Sequence, residues 1–407
     1  MAIWARISGL ILLCAGCGFG QLALTLQDAL DRALSTHGLL AAGQNRVGAA
    51  EGLQRQAGLM PNPRLVLQLE NVRPYGNPAF QFNRDTDQFA YLQYMFETAG
   101  KRGLRGEVAA AVVGRAEMER EMLAAQIRAR VKLAYWQAAG AAQIQRWLDE
   151  DFNRFGEVVR YHEVRVKEGA TAESDLLRVQ LEASRLRLSA SNARLAAERA
   201  RIDLLREMGQ REFPELIFSD SIETIRPEIT EVAESALERR SEVKLARQIQ
   251  LAAQRQARLQ EALSKPNVDV LLGYKRTAGL DTMLAGVQME LPMANRNQGN
   301  LSAALSEVKV AESNLAAVEA VVRAEVESAR RSVAIRKTQV DSILSAMRAQ
   351  SSESQRIADA AYRVGGVELL RLLDAERARI ETQILYYQTL SEYQQAVSSL
   401  ETALGIL

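Results

Sequence analysis

Two hydrophobic periods alternate along this chain. Over most of its length apolar side chains return every three or four residues. Leu315, Val318, Val322, Val326, Ala329 and Val333 follow steps of 3, 4, 4, 3 and 4, with Arg, Glu, Gln and Ser filling the other positions. That is the stripe of an amphipathic helix. From about Leu104 to Val166 there is no proline, and the only breaks are isolated glycines such as Gly140 and Gly156. A single helix there would be about 95 Å long at 1.5 Å per residue. A helix of that length must bury its stripe against a neighbour, as antiparallel coiled-coil hairpins do.

Four short stretches have a period near two instead. In PRLVLQLE, Leu65, Leu67 and Leu69 alternate with Arg64, Val66, Gln68 and Glu70. In PNVDVLLGYK, Val268, Val270, Leu272 and Tyr274 alternate with Asn267, Asp269, Gly273 and Lys275. Each is followed by a second run, QFAYLQYMFE and TMLAGVQMELP, and about 10 residues is the length of a tilted membrane-crossing strand. Phe89, Tyr91, Tyr94 and Phe96 gather in one of these runs, as in an interfacial girdle or as core residues.

The order of elements occurs twice. At an offset of 203, Ala33 and Leu34 lie over Ala236 and Leu237, and Pro63 lies over Pro266. The offset falls to 195 at the corners FETAGKRG and LPMANRNQG, because NVRPYGNPAFQFNRDTD in the first half answers to only KRTAGLD in the second. At 196, Gly169 meets Gly365, Leu176 and Leu177 meet Leu372 and Leu373, and Gly209 meets Gly405. Two repeats are therefore expected, over residues 21–210 and 229–407 with a linker at 211–228. Each reads as helix, β-hairpin (about 63–98 and about 266–292) and long helical hairpin with its tip near 169 or 365. Gly169 and Gly365 follow runs of helix as C-cap glycines do. Asp175 then sits in the first turn of the next helix, where the dipole favours a carboxylate.

Composition removes several function classes. Lys and Arg number 51 against 50 Asp and Glu, so no net positive field exists to hold nucleic acid. The only cysteines are Cys14 and Cys17 and the only histidines His37 and His162, which argues against a His/Cys metal site. His37 and His162 sit on helix patterns, each as a surface or packed residue. No catalytic triad, phosphate-binding glycine loop or spaced carboxylate cluster occurs; no catalytic residue, cofactor or metal ligand is assigned, and an enzyme is not expected. Met95, Met283, Met289 and Met293 read as core or lipid contacts.

The start, MAIWARISGLILLCAGCGFGQ, has Arg6, an apolar run from Ile7 to about Phe19 and then small residues, the pattern of an export signal over residues 1–20. Cleavage after Gly20 and lipidation at Cys17 are both open. No later stretch has the roughly 18 apolar residues of a spanning helix, so any membrane crossing falls to the strands. Four strands cannot close a barrel, and an open edge in lipid leaves backbone groups unpartnered. Three chains would supply twelve. The alternative is a small soluble sheet capping a helical bundle.

The element order, the tip motif AYRVGGVELLRLLDAERAR, the closing SLETALGIL and the two strand-to-helix corners together resemble the TolC-like outer-membrane efflux proteins over nearly the whole mature chain. PNP at Pro61–Pro63 and ETAGKR at Glu97–Arg102 are similar to the branch paired with heavy-metal pumps of the resistance-nodulation-division type. The resemblance implies a mainly α chain with a small β part: long helical hairpins plus four transmembrane strands. It implies a homotrimer with a 12-stranded β-barrel in the outer membrane and a 12-helix periplasmic tunnel, docked to a periplasmic adaptor and an inner-membrane pump. It places a gate at Asp374, with Arg371 where the family often has a second aspartate, and adaptor contacts at Gly169, Ala170, Thr171, Gly365, Gly366 and Val367; the alternatives are a solvated Asp374 carboxylate paired with a nearby Arg such as Arg371 or Arg377, and small tip residues that serve the turns alone. A duct for heavy-metal cations is the function it implies, with drug efflux or type I protein secretion as alternatives and a soluble periplasmic coiled-coil scaffold as the rival from another class.

Overall fold

The structure, a computed structural model, describes residues 22–73, 75 and 79–406. The export signal expected over residues 1–20, and Cys17 within it, lie outside the described residues. The elements run β1 (Leu22–Leu24), α1 (Leu26–Thr36), α2 (Gly38–Ala57), β2 (Arg64–Glu70), α3 (Phe82–Asp85), β3 (Asp87–Phe96), α4 (Lys101–Lys167) and α5 (Glu173–Glu207). After them come β4 (Leu216–Phe218), α6 (Ala233–Arg239), α7 (Ser241–Leu263), β5 (Val268–Thr277), β6 (Leu280–Met289) and α8 (Gln298–Thr338). A π-helical turn at Gln339–Leu344 leads into α9 (Ser345–Arg363), and α10 (Leu369–Ala403) ends the fold. The chain is mainly helical, and α4 runs unbroken for 67 residues.

Four long helices end in the same way. Gly169, Gly209, Gly365 and Gly405 all have positive φ, between 68° and 76°. Each donates its N–H to the carbonyl three residues back, and the following residue donates to the carbonyl five back: Ala170 to Arg165, Gln210 to Leu205, Gly366 to Ala361 and Ile406 to Glu401, all at 2.8 or 2.9 Å. This is the Schellman cap, which needs a left-handed residue and so selects glycine.

Contacts divide the chain into two compact units. One comprises the described residues up to Thr36, with Arg130–Ile225 and Thr338–Gln395. Its core packs Leu148 and Phe155 of α4, Val179, Leu186 and Ala190 of α5, and Leu369, Leu372 and Leu373 of α10. Burying each of the Leu, Val and Phe side chains among these is worth about 1.5–3 kcal/mol. At the other end of this unit β1 pairs in parallel with β4, and the buried Tyr135 hydroxyl reaches Leu24 O at 3.0 Å and Asp220 Oδ2 at 2.8 Å. Asp220 Oδ2 also accepts from Leu26 N, capping α1. The three-residue strands of this ribbon were not expected from the sequence.

The second unit comprises His37–Ala129, Arg226–Lys337 and Ala396–Leu407. Its helical core joins Leu237, Val243, Val322, Val326, Leu400 and Leu404. His37 caps the start of α2, its Nδ1 accepting from Leu39 N at 3.2 Å; it lies between helices, not on one. The second β-connection is shorter than expected. β5 continues to Thr277, and only Ala278 and Gly279, both with positive φ, turn the chain into β6, the conformation a two-residue hairpin loop demands.

Candidate functional site

Two regions carry the features of interest, one in each unit. The first is the sheet, in the order β2-β3-β5-β6 and antiparallel throughout. Register places Leu65, Leu67 and Leu69 beside Leu92, Ala90 and Gln88, and continues through Leu272, Ala90–Tyr274 and Tyr94–Val270 to Ala285, Met283 and Val287. Between its rims this face has no charged residue, and Leu65, Leu67, Leu272, Met283 and Val287 are all more than half exposed. The opposite face carries Arg64, Gln68, Glu70, Gln93, Asp269 and Lys275. The aromatic cluster divides between the two: Tyr94 and Phe96, in edge contact at 4.8 Å, stand on the apolar face, whereas Phe89, with Lys275 Nζ at 5.4 Å over its ring, and Tyr91 stand on the polar one. The sequence clustering therefore does not make a single girdle, because neighbours two apart share a face and neighbours three apart do not.

At the foot of the sheet the corner FETAGKRG forms a pin. Lys101, the first residue of α4, is buried and gives its ammonium to Lys265 O at 2.5 Å and Asn267 Oδ1 at 2.5 Å. Burial pushes this amine below the usual lysine value. Arg105 pairs in bidentate fashion with Glu97, and Thr98 donates to Pro266 O. The chain entering β5 is thus tied to the chain leaving β3.

The second region is the end of the two helical hairpins. Gly169 and Gly365 occupy the turns already described; Ala170 is exposed, Thr171 and Val367 half-buried. Ala170 O accepts from Arg165 Nη2 at 3.2 Å. Gly366 packs so that a Cβ would stand 3.3 Å from Ala361 O. Arg371 and Asp374 line one groove of about 1020 Å3 between α9 and α10, together with Glu353, Ile357 and Val367. The Asp374 side chain is 58% exposed, and its ion-pair partner is Arg377, Nη1 to Oδ1 at 3.6 Å; no ion pair joins it to Arg371 among the described residues.

Arg377 belongs chiefly to Glu182. Its Nε donates to Glu182 Oε2 at 2.8 Å, its Nη2 to Oε1, and Arg185 adds a bond at 2.7 Å. The Arg377 guanidinium holds the Glu182 carboxyl below the usual carboxylate range. Two residues on, Arg379 crosses to α4 and meets Asp151 at 2.5 Å and Glu376 at 2.7 Å. Burial alone would lower the Arg379 value, yet these carboxylates raise it. The buried His162 stacks on Tyr362, with Nε2 2.8 Å from the phenol oxygen and Nδ1 2.8 Å from Val158 O. Sequence reasoning missed these links. One signal was present: Glu182 and Arg377 are 195 residues apart, close to the repeat offset, so equivalent heights of the two hairpins face each other.

Among the described residues no group of three His, Cys, Asp or Glu is placed to hold a metal ion, and no helix is long and apolar enough to cross a membrane.

Residues 232–406 match the family model described as outer membrane efflux protein. The chain is 24% identical over 410 residues to the cobalt-zinc-cadmium resistance protein CzcC of Cupriavidus metallidurans, covering 94% of this chain and 90% of that one. Its fold is similar to that of CusC, with a TM-score of 0.78 at 18% identity over 93% of this chain and 92% of that one. It is likewise similar to the outer membrane protein VceC of Vibrio cholerae, with a TM-score of 0.75 at 20% identity over 93% and 96%.

Proposed function

We propose, from the premise that this chain belongs with the outer membrane efflux proteins whose family model its second half matches, that it is the exit duct of a tripartite heavy-metal efflux system. The observation that carries this reading is the sheet. It has an apolar face left uncovered and two edge strands, β2 and β6, each paired on one side only. Such a sheet is stable in hydrocarbon only if its edges are closed by other strands. Three copies, β6 of each beside β2 of the next, give an even 12-stranded barrel, apolar outside and polar within. The hairpins of α4–α5 and α9–α10 from three copies make the 12-helix periplasmic tunnel. The common caps at Gly169 and Gly365, and at Gly209 and Gly405, support two structural repeats, each giving one β-hairpin and one helical hairpin.

In this reading the small residues at the tips, Gly169 to Thr171 and Gly365 to Val367, meet a periplasmic adaptor, and an inner-membrane pump supplies the cargo. The export signal delivers the chain to the periplasm. Asp374, exposed beside the groove, narrows the entrance with Arg371 close by, a mixed ring of charge that is relieved when the tips part. Asp374→Ala should raise the single-channel current of the closed level; an unchanged current removes Asp374 from the gate. CzcC is named for cobalt, zinc and cadmium resistance, and metal cations are accordingly the proposed cargo. A strain lacking this chain should lose tolerance to zinc, cobalt or cadmium and regain it on complementation, with drug tolerance unmoved. Lost drug tolerance with intact metal tolerance would favour the drug-efflux alternative.

A further inference from the structure

The polar face of the sheet sorts its charge by position along the strands. Residues in register form five rows across this face. The row at the foot carries Asp269, opposite Met95 and Gln288, and the row at the turns carries Glu70 beside Asp87. The three rows between them hold Arg64 and Lys275 as their only charges, and no carboxylate. Arg64 stands in line with Gln93 and Leu271, and Lys275 in line with Phe89 and Thr282. The two cations are therefore four residues apart along the strands, about 13 Å at roughly 3.3 Å per residue.

Neither cation is neutralised. Among the described residues neither makes an ion pair, and Lys275 Nζ rests 5.4 Å from the centre of the Phe89 ring. That attraction holds the ammonium against the wall and leaves its charge intact. The acids of the neighbouring row are engaged elsewhere. Asp87 accepts from Asn71 Nδ2 at 2.7 Å and from Ala278 N at 3.1 Å, and Glu70 accepts from Gln68 Nε2 at 2.7 Å.

We infer that the middle of the barrel lumen is a cationic waist that gathers small multivalent anions, those bearing carboxylate or phosphate groups, with Lys275 and Arg64 as the residues that hold them. The inference rests on the closed-barrel reading above and adds the sign of charge that the lumen presents. Rotational symmetry sets the three copies of each residue at one level. Two rings of three positive charges then face the water, the arrangement that anion and phosphate pores use. Their field reaches about 30 Å at 0.01 M salt and about 3 Å at 1 M. Cation cargo meets repulsion at the waist, and the anions gathered there supply the counter-charge with which a divalent ion leaves.

The test uses the full chain in planar bilayers under a KCl gradient of about tenfold, the dilute side near 0.01 M, where screening is weak. Lys275→Gln should raise the K+/Cl− permeability ratio about twofold over the parent, and Arg64→Gln/Lys275→Gln about fourfold. Both shifts should vanish near 1 M salt. Lys275→Arg should match the parent, and so should Arg276→Gln, which lies one residue on and on the opposite face. On the unaltered chain, replacing chloride by citrate at equal ionic strength should lower the current about twofold, and Lys275→Glu should abolish that block. A double variant that conducts with the parent's ratio, or an unaltered chain that citrate does not block, would overturn the waist and leave the duct reading standing. A protein that never forms a conducting channel would overturn both.

Discussion

Glu182 illustrates how a single side chain can hold two hairpins together. It is almost buried, yet Arg377 across from it is 41% exposed, so solvent screens part of the attraction. Glu182→Gln should therefore cost about 1–2 kcal/mol, less than the 3–5 kcal/mol for breaking a fully buried pair. Its pH dependence has a definite sign. The folded carboxyl lies below its ordinary value of 4.5, so its contribution is fully present above that value and is lost as pH falls through the lowered folded value. The gap in denaturation midpoint in detergent between wild type and Glu182→Gln should be constant above pH 4.5 and shrink progressively as pH is lowered below it, through the folded carboxyl's lowered value. A gap that stays the same down to about pH 2 would show that the carboxylate's charge is not what binds the hairpins.

At the scale of elements, the sheet is the part most exposed to single substitutions. A Cβ on Gly273 would stand 2.3 Å from Ala90 O and from Cα and Cβ of Tyr91, in the centre of the β3–β5 ladder. Gly273→Ala should cost about 1–3 kcal/mol or more through overpacking, read as a lower thermal midpoint. Gly279→Ala, at an open turn, should cost only about 1–2 kcal/mol, from its positive φ. A midpoint for Gly273→Ala equal to that of Gly279→Ala would mean that β3 and β5 do not pair as described.

These elements were legible in the sequence to different depths. The period-two runs marked the strands, and Gly169 and Gly365 marked two of the four helix caps, because a left-handed cap admits few residues other than glycine; Gly209 and Gly405 were legible only as a repeat match. Register was not legible, since it depends on a distant partner; the parting of Phe89 and Tyr91 from Tyr94 and Phe96 follows instead from the odd step between Tyr91 and Tyr94 within one strand. The β1–β4 ribbon is too short to show a period. The π turn has no breaker residue to announce it. The links Glu182–Arg377 and Asp151–Arg379 join positions more than 190 residues apart, and among so many Arg and Glu on helix surfaces nothing local singles them out.

For the whole molecule the proposed duct comes down to closure: the sheet of one chain has an uncovered apolar face and two edges paired on one side only, and in the proposed duct other copies supply the missing wall. The most direct measurement is native mass in detergent, followed by reconstitution of the same sample into a planar bilayer. The account expects three copies and stepwise ohmic currents through a water-filled pore. A single copy that stays in aqueous buffer without detergent and leaves the bilayer electrically silent would contradict it.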